Sequence, residues 1–335
     1  MPIVLPPSTV LVTGANGFLA VHLITELLEQ GYTVRGTVRS LSKGEWIKNK
    51  FASFGEKFEY LVVEDITKEG AFDEAIKGVD AVLHTASAVP ENWVGTYEIL
   101  YVPCVKGTES IVKSLQGSRT VKRVVFTSSF TAVWGPHPLG YTYSEVRDWN
   151  DTASKLIKEK PHELPGSMLY FAAKTDSERA FWKFYEEHKD QLAWDLVTLT
   201  PPYTFGPVIQ EVPNASTKMI WKKAFKDNPA DQVGQHAGFW IDVRDCAHAH
   251  LLSLQKEQAG GERFLITGGA FTWQDVYNEL QSLHIPEIPK GVETKDVLDI
   301  PNTSKAANTL GMTYRTLGES VRDTIVTLRE RGINE

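Results

Sequence analysis

The chain has 335 residues, 42% hydrophobic and 23% charged, which is typical of a globular protein and unlike a disordered or collagen-like chain. Lysine and arginine number 35 against 42 aspartate and glutamate residues, with no long run of either sign, so we expect no nucleic-acid partner. Its 2 cysteines are too few for a disulfide framework or a cysteine-rich metal site. The stretch Met1–Val10 has no lysine or arginine and two adjacent prolines, unlike a signal peptide, so we expect a cytoplasmic protein.

Short apolar runs alternate with amphipathic stretches along the first part of the chain. The apolar runs predict strands at Thr9–Thr13, Thr33–Val38, Phe58–Val63, Ala81–Leu83, Arg123–Thr127 and Leu196–Leu199. The stretches between them predict a helix that begins near Leu19, and further helices at Ala71–Lys77, Val102–Leu115 and Tyr170–Glu187. This alternation predicts an α/β fold, a Rossmann-type doubly wound parallel sheet of about seven strands with a small C-terminal substrate lobe.

One uncharged stretch, Val124–Ser144, is long enough to span a bilayer. Its prolines, glycines and hydroxyl groups would be costly in lipid. We therefore predict a buried strand followed by a loop, and no membrane association.

The strongest local motif follows the first predicted strand, where Val12–Ala20 reads VTGANGFLA. Gly14 permits a tight turn, Gly17 lets the backbone approach a pyrophosphate, and the small Ala20 lets the helix pack on the strand. The amino terminus of the helix then offers N–H groups to the phosphates. Glycines also simply end strands, and the GxxGxxA spacing is tighter than GxGxxG, but the strand before and the helix after favour a dinucleotide site at Gly14, Asn16, Gly17, Phe18 and Leu19.

The end of the second predicted strand favours NADPH over NADH. NAD sites usually have a carboxylate there for the ribose 2′-hydroxyl, whereas an arginine accommodates a 2′-phosphate. This chain has Arg39 and then Lys43, and no acid before Glu45. A guanidinium can bind a phosphate in a fork and an ammonium adds a point charge, although either cation could be an ordinary surface residue.

Two Tyr-x-x-x-Lys pairs occur, Tyr170 with Lys174 and Tyr185 with Lys189. Residues four apart share one face of a helix, where an ammonium can lower the phenol pKa from about 10 and make tyrosine a usable acid or base. Among 11 tyrosines one chance match is expected. The second pair lies in a charged stretch, whereas the first has small apolar neighbours, so we predict that Tyr170 and Lys174 are catalytic.

Three hydroxyl residues, Thr127, Ser128 and Ser129, stand at the predicted carboxyl end of the fifth strand. Parallel sheets bind ligands at that edge. A hydroxyl there could polarise a carbonyl oxygen, or it could merely cap a backbone group.

Taken in order, the motifs GANGFLA, VRGTVRS, VEDIT, LHTASAV, VVFTSS, YxxxK and TPPYTFGP resemble the extended short-chain dehydrogenases/reductases. The resemblance covers nearly the whole chain and is closest to the dihydroflavonol-reductase-like branch, particularly yeast and fungal carbonyl or aldehyde reductases. It implies that Ser129 is the catalytic serine, that Tyr170 donates the proton, and that Lys174 tunes Tyr170 and holds the nicotinamide ribose.

The resemblance also implies a set of cofactor contacts along the chain. These are Arg39 and Lys43 at the 2′-phosphate, Asp65 and Ile66 beside the adenine, Thr85, Ala86 and Ser87 beside the nicotinamide ribose and phosphates, Pro201 and Tyr203 near the carboxamide, and Ser216 as a further contact.

The helix after the fourth strand departs from many short-chain enzymes. They have an asparagine there that anchors a proton relay, whereas Tyr101–Thr108 reads YVPCVKGT, with Cys104 and no asparagine. We interpret this as a marker of the branch, which leaves open how protons return to Tyr170. The NWYCYGK-type signature of cinnamoyl-CoA reductases is also missing, which argues against a CoA-thioester substrate.

An apolar substrate pocket is expected at the substrate lobe. Its candidate residues, some of which could simply pack the core, are Val89, Phe130, Trp134, Tyr203, Met219, Trp221 and Trp240. His248 and His250 are two residues apart on a predicted helix, so their rings point to different faces, and we expect no metal.

We therefore predict an NADP-binding Rossmann domain over 1–200 and a mainly substrate-binding lobe over 201–335, with segments near 204–208 and 238–252 returning to the first domain. The predicted reaction is NADPH-dependent reduction of an aldehyde or ketone, of ketoester, diketone or aryl ketone type, by a monomer or homodimer that binds a small-molecule carbonyl compound. One alternative is a nucleotide-sugar epimerase or dehydratase of the same fold, although such enzymes prefer an acid after the second strand. The other is a non-catalytic NADP-sensing regulator.

Overall fold

The computed structural model describes residues 3–87, 94–225, 235–284, 288 and 297–333. Its strands are β1 (Thr9–Thr13), β2 (Thr33–Val38), β3 (Phe58–Val62), β4 (Ala81–His84), β5 (Arg123–Thr127), β6 (Thr142–Tyr143), β7 (Asp195–Thr200), β8 (Tyr203–Phe205), β9 (His236–Asp242), β10 (Arg263–Leu265), β11 (Gly269–Thr272) and β12 (Ile300–Pro301). Its α-helices are α1 (Phe18–Glu29), α2 (Leu41–Lys50), α3 (Asp73–Ile76), α4 (Val102–Gln116), α5 (Asp151–Glu159), α6 (Gly166–His188), α7 (Ala215–Phe225), α8 (Val243–Gln255), α9 (Trp273–Leu280), α10 (Ser304–Leu310) and α11 (Leu317–Glu330).

A seven-stranded sheet in the order β10-β7-β5-β4-β1-β2-β3 forms the centre of the molecule. All neighbouring pairs in it are parallel. The predicted doubly wound sheet is confirmed, and the predicted strands and helices are present with ends that shift by a few residues, as is usual at element boundaries.

Both faces of this sheet are covered by helices. Within β1, Val10 and Val12 pack in the cluster that contains residues of α1 and α8. The intervening Leu11 packs in the opposite cluster, with residues of α4 and α6. Alternate side chains of a strand point to opposite faces, so a continuous apolar run is what a strand buried on both sides requires.

The second half of the chain adds smaller sheets to the central one. Strands β11, β9 and β8 form a three-stranded sheet, and β12 pairs with β6. Side chains of α7, α9 and α11 pack with the three-stranded sheet in a separate apolar cluster. Two later elements belong to the central layers, since α8 packs on α1 and β10 pairs with β7. The domain boundary at residue 200 stays a prediction.

In the described part of the chain, no helix is both long and apolar enough to cross a membrane. The uncharged stretch Val124–Ser144 contains most of the buried strand β5, a short 3₁₀ turn, irregular chain and the short strand β6. The cytoplasmic location stays a prediction.

Candidate active site

The carboxyl edge of the central sheet has a topological switch point beside β1. This strand pairs with β2 on one side and with β4 on the other, so the chain leaves β1 and β4 in opposite directions. Open α/β sheets bind ligands in the crevice that this divergence creates.

The glycine loop lies at that crevice, between β1 and α1. Gly14 has a φ of 68°, which favours glycine, and a Cβ there would lie 3.1 Å from the Cα of Ala86. The Gly17 N–H donates to the Gly14 carbonyl at 2.9 Å, and the Ala15 N–H donates to the Thr37 carbonyl at 2.9 Å. The loop is therefore a tight turn, as the motif predicted, and its backbone packs closely against Ala86.

The loop after β4 lies directly against the glycine loop. The Thr13 hydroxyl accepts the N–H groups of Thr85 and Ala86, each at 3.1 Å. The Ser87 hydroxyl lies 3.2 Å from the sulfur of the buried Cys104. These contacts bring together two groups of predicted cofactor residues, Gly14–Leu19 and Thr85–Ser87, whereas the predicted substrate residue Val89 lies outside the described residues.

The predicted 2′-phosphate site contains an acid that the sequence analysis did not identify. Arg39 is exposed just beyond β2 and has no ion-pair partner among the described residues, and Lys43 lies in the first turn of α2. The Lys43 ammonium pairs at 2.6 Å with the carboxylate of Glu211, which follows β8. No local motif could reveal Glu211, because 168 residues separate the two partners.

The predicted adenine-side residues follow β3. The Asp65 carboxylate accepts both the hydroxyl and the N–H of Thr67, at 2.7 and 2.9 Å, and these bonds lower the pKa of Asp65. The Ile66 side chain packs on Gly107 of α4 so closely that a Cβ there would lie 2.8 Å away. A side chain at position 107 would collide with Ile66, so the glycine allows Ile66 to pack directly on α4.

Three predicted catalytic residues meet where β5 ends and α6 passes. Tyr170 and Lys174 lie one turn apart on α6, and the buried Lys174 ammonium donates to the Thr127 carbonyl at 3.2 Å. Ser129 is buried, and its hydroxyl accepts the Thr131 N–H at 3.2 Å. The hydroxyls of Ser129 and Tyr170 are hydrogen-bonded to each other.

Burial controls the pKa values of this cluster. Burial raises the pKa of Tyr170, with Cys104 and Tyr203 acting in the same direction and the Ser129 hydrogen bond acting against them. The pKa of Lys174 is lowered, again by burial. The sequence predicts that Lys174 lowers the pKa of Tyr170, but in this structure desolvation prevails, and the ammonium donates to the Thr127 carbonyl.

The second Tyr-x-x-x-Lys pair lies at the opposite edge of the sheet. Tyr185 is buried against Trp194, with ring centroids 5.9 Å apart, and hydrogen-bonds to the backbone of Leu196 near the start of β7. Lys189 pairs with Glu186 at 2.6 Å on the surface. Because the strands are parallel, the start of β7 is remote from Ser129, so the two pairs cannot share a site.

The remaining predicted residues lie partly in the core and partly near the edge. Phe130 is buried with its ring centroid 4.2 Å from that of Phe239, and its N–H donates to the Pro201 carbonyl. Trp134 is 40% exposed and edge-on to Phe171. Trp221 and Trp240 are buried in the core around the three-stranded sheet, where Tyr203 and Met219 are partly buried, and Ser216 lies in the first turn of α7.

The two histidines of α8 have different neighbours. The His248 ring contacts the Glu26 carboxylate at 2.5 Å, whereas the His250 ring contacts the Thr127 hydroxyl at 2.7 Å. Their predicted orientation to different faces of the helix is confirmed. Among the described residues, no group of three or more His, Cys, Asp or Glu side chains could hold a metal ion.

Comparison with known proteins gives consistent relatives along nearly the whole chain. The ketoreductase azaE of Aspergillus niger is 35% identical over 96% of this chain and 98% of that protein. Aldehyde reductase 2 of Sporidiobolus salmonicolor is 32% identical over 95% of each. The crystal structure of yeast methylglyoxal/isovaleraldehyde reductase Gre2 complexed with NADPH has a TM-score of 0.86 and 31% identity, covering 97% of this chain and 99% of that one.

Residues 10–267 match the NAD dependent epimerase/dehydratase family, a match that includes the glycine loop, the Ser129–Tyr170–Lys174 cluster and most of the central sheet. The chain therefore belongs to the NAD dependent epimerase/dehydratase family, the extended short-chain dehydrogenases/reductases that its motifs resemble.

Proposed function

We propose that the protein reduces an aldehyde or ketone to an alcohol with NADPH. The observation that carries the proposal is the hydrogen-bonded pair of Ser129 and Tyr170 beside a buried Lys174, at the carboxyl edge where the glycine loop also lies. The names of the relatives, a ketoreductase, an aldehyde reductase and a methylglyoxal/isovaleraldehyde reductase, support the same reaction class.

The residues present fit a dinucleotide with a 2′-phosphate. The left-handed Gly14 turn packs directly against Ala86, so the glycine loop and the loop after β4 lie side by side at the switch point. Arg39, which has no ion-pair partner in the described part of the chain, and the nearby Lys43 supply positive charge after β2, where NAD sites usually have an acid. Glycine-loop N–H groups would bind the pyrophosphate, and Arg39 and Lys43 the 2′-phosphate.

The catalytic roles follow from the chemistry of the three side chains. When bound, NADPH supplies the hydride for the carbonyl carbon. The Ser129 hydroxyl donates a hydrogen bond to the carbonyl oxygen and stabilises the negative charge that develops there. The Tyr170 hydroxyl delivers the proton to that oxygen, and Lys174 places a positive charge beside the same site.

Burial raises the pKa of Tyr170, so its phenol carries a proton that it can donate. The higher pKa also makes the phenol a weaker acid, so the transfer depends on the greater basicity of the alkoxide that hydride addition creates.

The testing experiment is NADPH consumption against methylglyoxal, isovaleraldehyde, an α-diketone, a β-ketoester and an aryl ketone, with NADH run in parallel. Oxidation that depends on NADPH is the expected result, and the ranking of the compounds identifies the substrate type. Conversion of a nucleotide sugar without net NADPH oxidation would instead support the epimerase alternative. If none of these compounds is converted although NADPH still binds, the proposed reductase activity is wrong and a non-catalytic regulator is supported.

A further inference from the structure

A buried carboxylate lies one helical turn beyond Lys174, in contact with the strand end that carries Ser129. Glu178 is fully buried on α6, and its Oε2 accepts the Ser128 hydroxyl at 2.6 Å. Its Oε1 accepts the Thr198 hydroxyl of β7 at 2.8 Å. One carboxylate therefore joins α6 to two neighbouring strands of the central sheet.

Arg263 of β10 compensates the charge of this carboxylate. Its Nε donates to Glu178 Oε1 at 2.8 Å and its Nη2 donates to Oε2 at 3.1 Å, a bidentate pair. Its Nη1 donates to the carbonyls of Glu145 and Asp148, and its guanidinium lies 3.7 Å from the centre of the Trp149 ring. Burial opposes the ionisation of Glu178, but Arg263 and the hydroxyl donors outweigh it and lower its pKa.

The Ser128 side chain is the part of this network that reaches the candidate active site. On either side of Ser129 the backbone is bonded to β7 and its continuation, through Ser128 N–H to the Leu199 carbonyl at 2.8 Å and Phe130 N–H to the Pro201 carbonyl at 2.9 Å. These bonds fix the strand end within the sheet. The bond from Ser128 to Glu178 instead links the strand end to α6, the helix that carries Tyr170.

Three successive turns of α6 thus contact three successive residues at the end of β5. Glu178 accepts from Ser128, Lys174 donates to Thr127, and Tyr170 is hydrogen-bonded to Ser129. Residues four apart share one helix face, so all three contacts come from the face of α6 that meets this strand end.

We propose that Glu178 is a positioning residue which, through its bond to Ser128, sets the position of Ser129 relative to Tyr170. This inference rests on the proposed reductase function for its kinetic consequence. Two hydroxyls that act on one carbonyl oxygen need a defined separation, and a fully buried carboxylate held by the bidentate Arg263 pair provides a rigid link between the helix and the strand end.

The test compares two substitutions that each remove one hydroxyl donor from the same carboxylate. Ser128→Ala removes the bond between α6 and the residue before Ser129. Thr198→Val, the matched control, removes the bond between α6 and β7, together with the hydrogen bond that the Thr198 hydroxyl accepts from Trp182 at 3.2 Å. For Ser128→Ala we expect kcat to fall by about tenfold or more, because small misplacements of reacting groups are costly, while KM for NADPH stays near the wild-type value. For Thr198→Val, which is equally buried, we expect kcat near the wild-type value and a comparable shift of the melting temperature.

A second measurement does not depend on turnover. Amide hydrogen exchange of the segment 124–134 should be faster in Ser128→Ala than in wild type, and should be unchanged in Thr198→Val. Equal effects of the two substitutions on kcat and on exchange, or no effect of Ser128→Ala on either, would overturn the positioning role. If the wild-type protein reduces no tested carbonyl compound but exchange still rises only in Ser128→Ala, the proposed function fails and the positioning role stands.

Discussion

The surroundings of Tyr170 set the pKa of its phenol and therefore the protonation state in which it acts. Its phenol is hydrogen-bonded to Ser129 and lies near Cys104, yet burial has the largest effect on its pKa and raises it. A neutral phenol is a donor, which is the form that carbonyl reduction requires.

For Tyr170→Phe we expect kcat to fall by about 10²–10⁴-fold, the usual contribution of a positioned acid, because the ring is retained while the hydroxyl that carries the transferable proton is lost. The dissociation constant for NADPH should change little, as measured by fluorescence titration. Tyr185→Phe is the matched control, since Tyr185 also precedes a lysine by four residues on α6 but packs against Trp194, and its kinetics should be near normal. Substantial activity in Tyr170→Phe would contradict the assignment, and an inactive Tyr185→Phe would point to the other pair.

The segment after β8 connects three helices at the predicted 2′-phosphate site. The carbonyl of Pro207 contacts the His22 ring of α1 at 2.9 Å, and the N–H of Val208 donates to the Thr327 hydroxyl of α11 at 2.9 Å. Glu211 completes the segment with its ion pair to Lys43 of α2. Glu211, from the second half of the chain, is therefore ion-paired with Lys43, a cation that we propose binds the 2′-phosphate of the cofactor.

We expect Glu211→Gln to tighten NADPH binding by up to about fivefold, because an exposed ion pair contributes about 0.2–1 kcal/mol and the carboxylate competes with a phosphate for Lys43. Binding of NADH, which has no 2′-phosphate, should be unchanged, and titrations with both cofactors measure the difference. Glu262→Gln is the control, because Glu262 forms a similarly exposed ion pair with Lys305. A gain in NADH binding as large as the gain in NADPH binding would contradict the argument.

Across the whole molecule, three buried histidines make the stability sensitive to acid. Burial lowers the pKa of His22 to about 4, of His84 to about 3 and of His250 to about 4, from an ordinary value of 6.5. Between pH 6.5 and about 4 the unfolded chain therefore binds more protons at these positions than the folded chain. The contribution of these three histidines to the free energy of unfolding therefore falls as the pH falls through this window.

His22→Gln should make this dependence shallower by about 1 kcal/mol per pH unit between pH 6 and 5, because one proton fewer is taken up on unfolding. Denaturant titrations at several pH values provide the slope. His248→Gln is the control, since the hydrogen bond to Glu26 raises the pKa of His248 and both folded and unfolded states are protonated in this window. Identical slopes for wild type and His22→Gln would show that His22 is not held neutral by burial.

Much of the architecture and of the site was predictable because it depends on neighbours along the chain. Strand and helix periodicities, the turn at Gly14, and the four-residue spacing of Tyr170 and Lys174 are all local properties. The parallel sheet followed from them, since alternating strands and helices have few other ways to bury their apolar faces.

The features that local patterns could not reveal depend on contacts between distant parts of the chain. Ser128 meets Glu178 across 50 residues and Lys43 meets Glu211 across 168, and no periodicity links such partners. The direction of the Tyr170 pKa shift was likewise beyond sequence analysis, because desolvation depends on which side chains close around the phenol. The amino-acid pattern alone thus specified the elements, the edge of the sheet where the candidate site lies and the residue types there. Folding specified which distant groups fix, neutralise or desolvate them, because those effects depend on distances in space and not on separation along the chain.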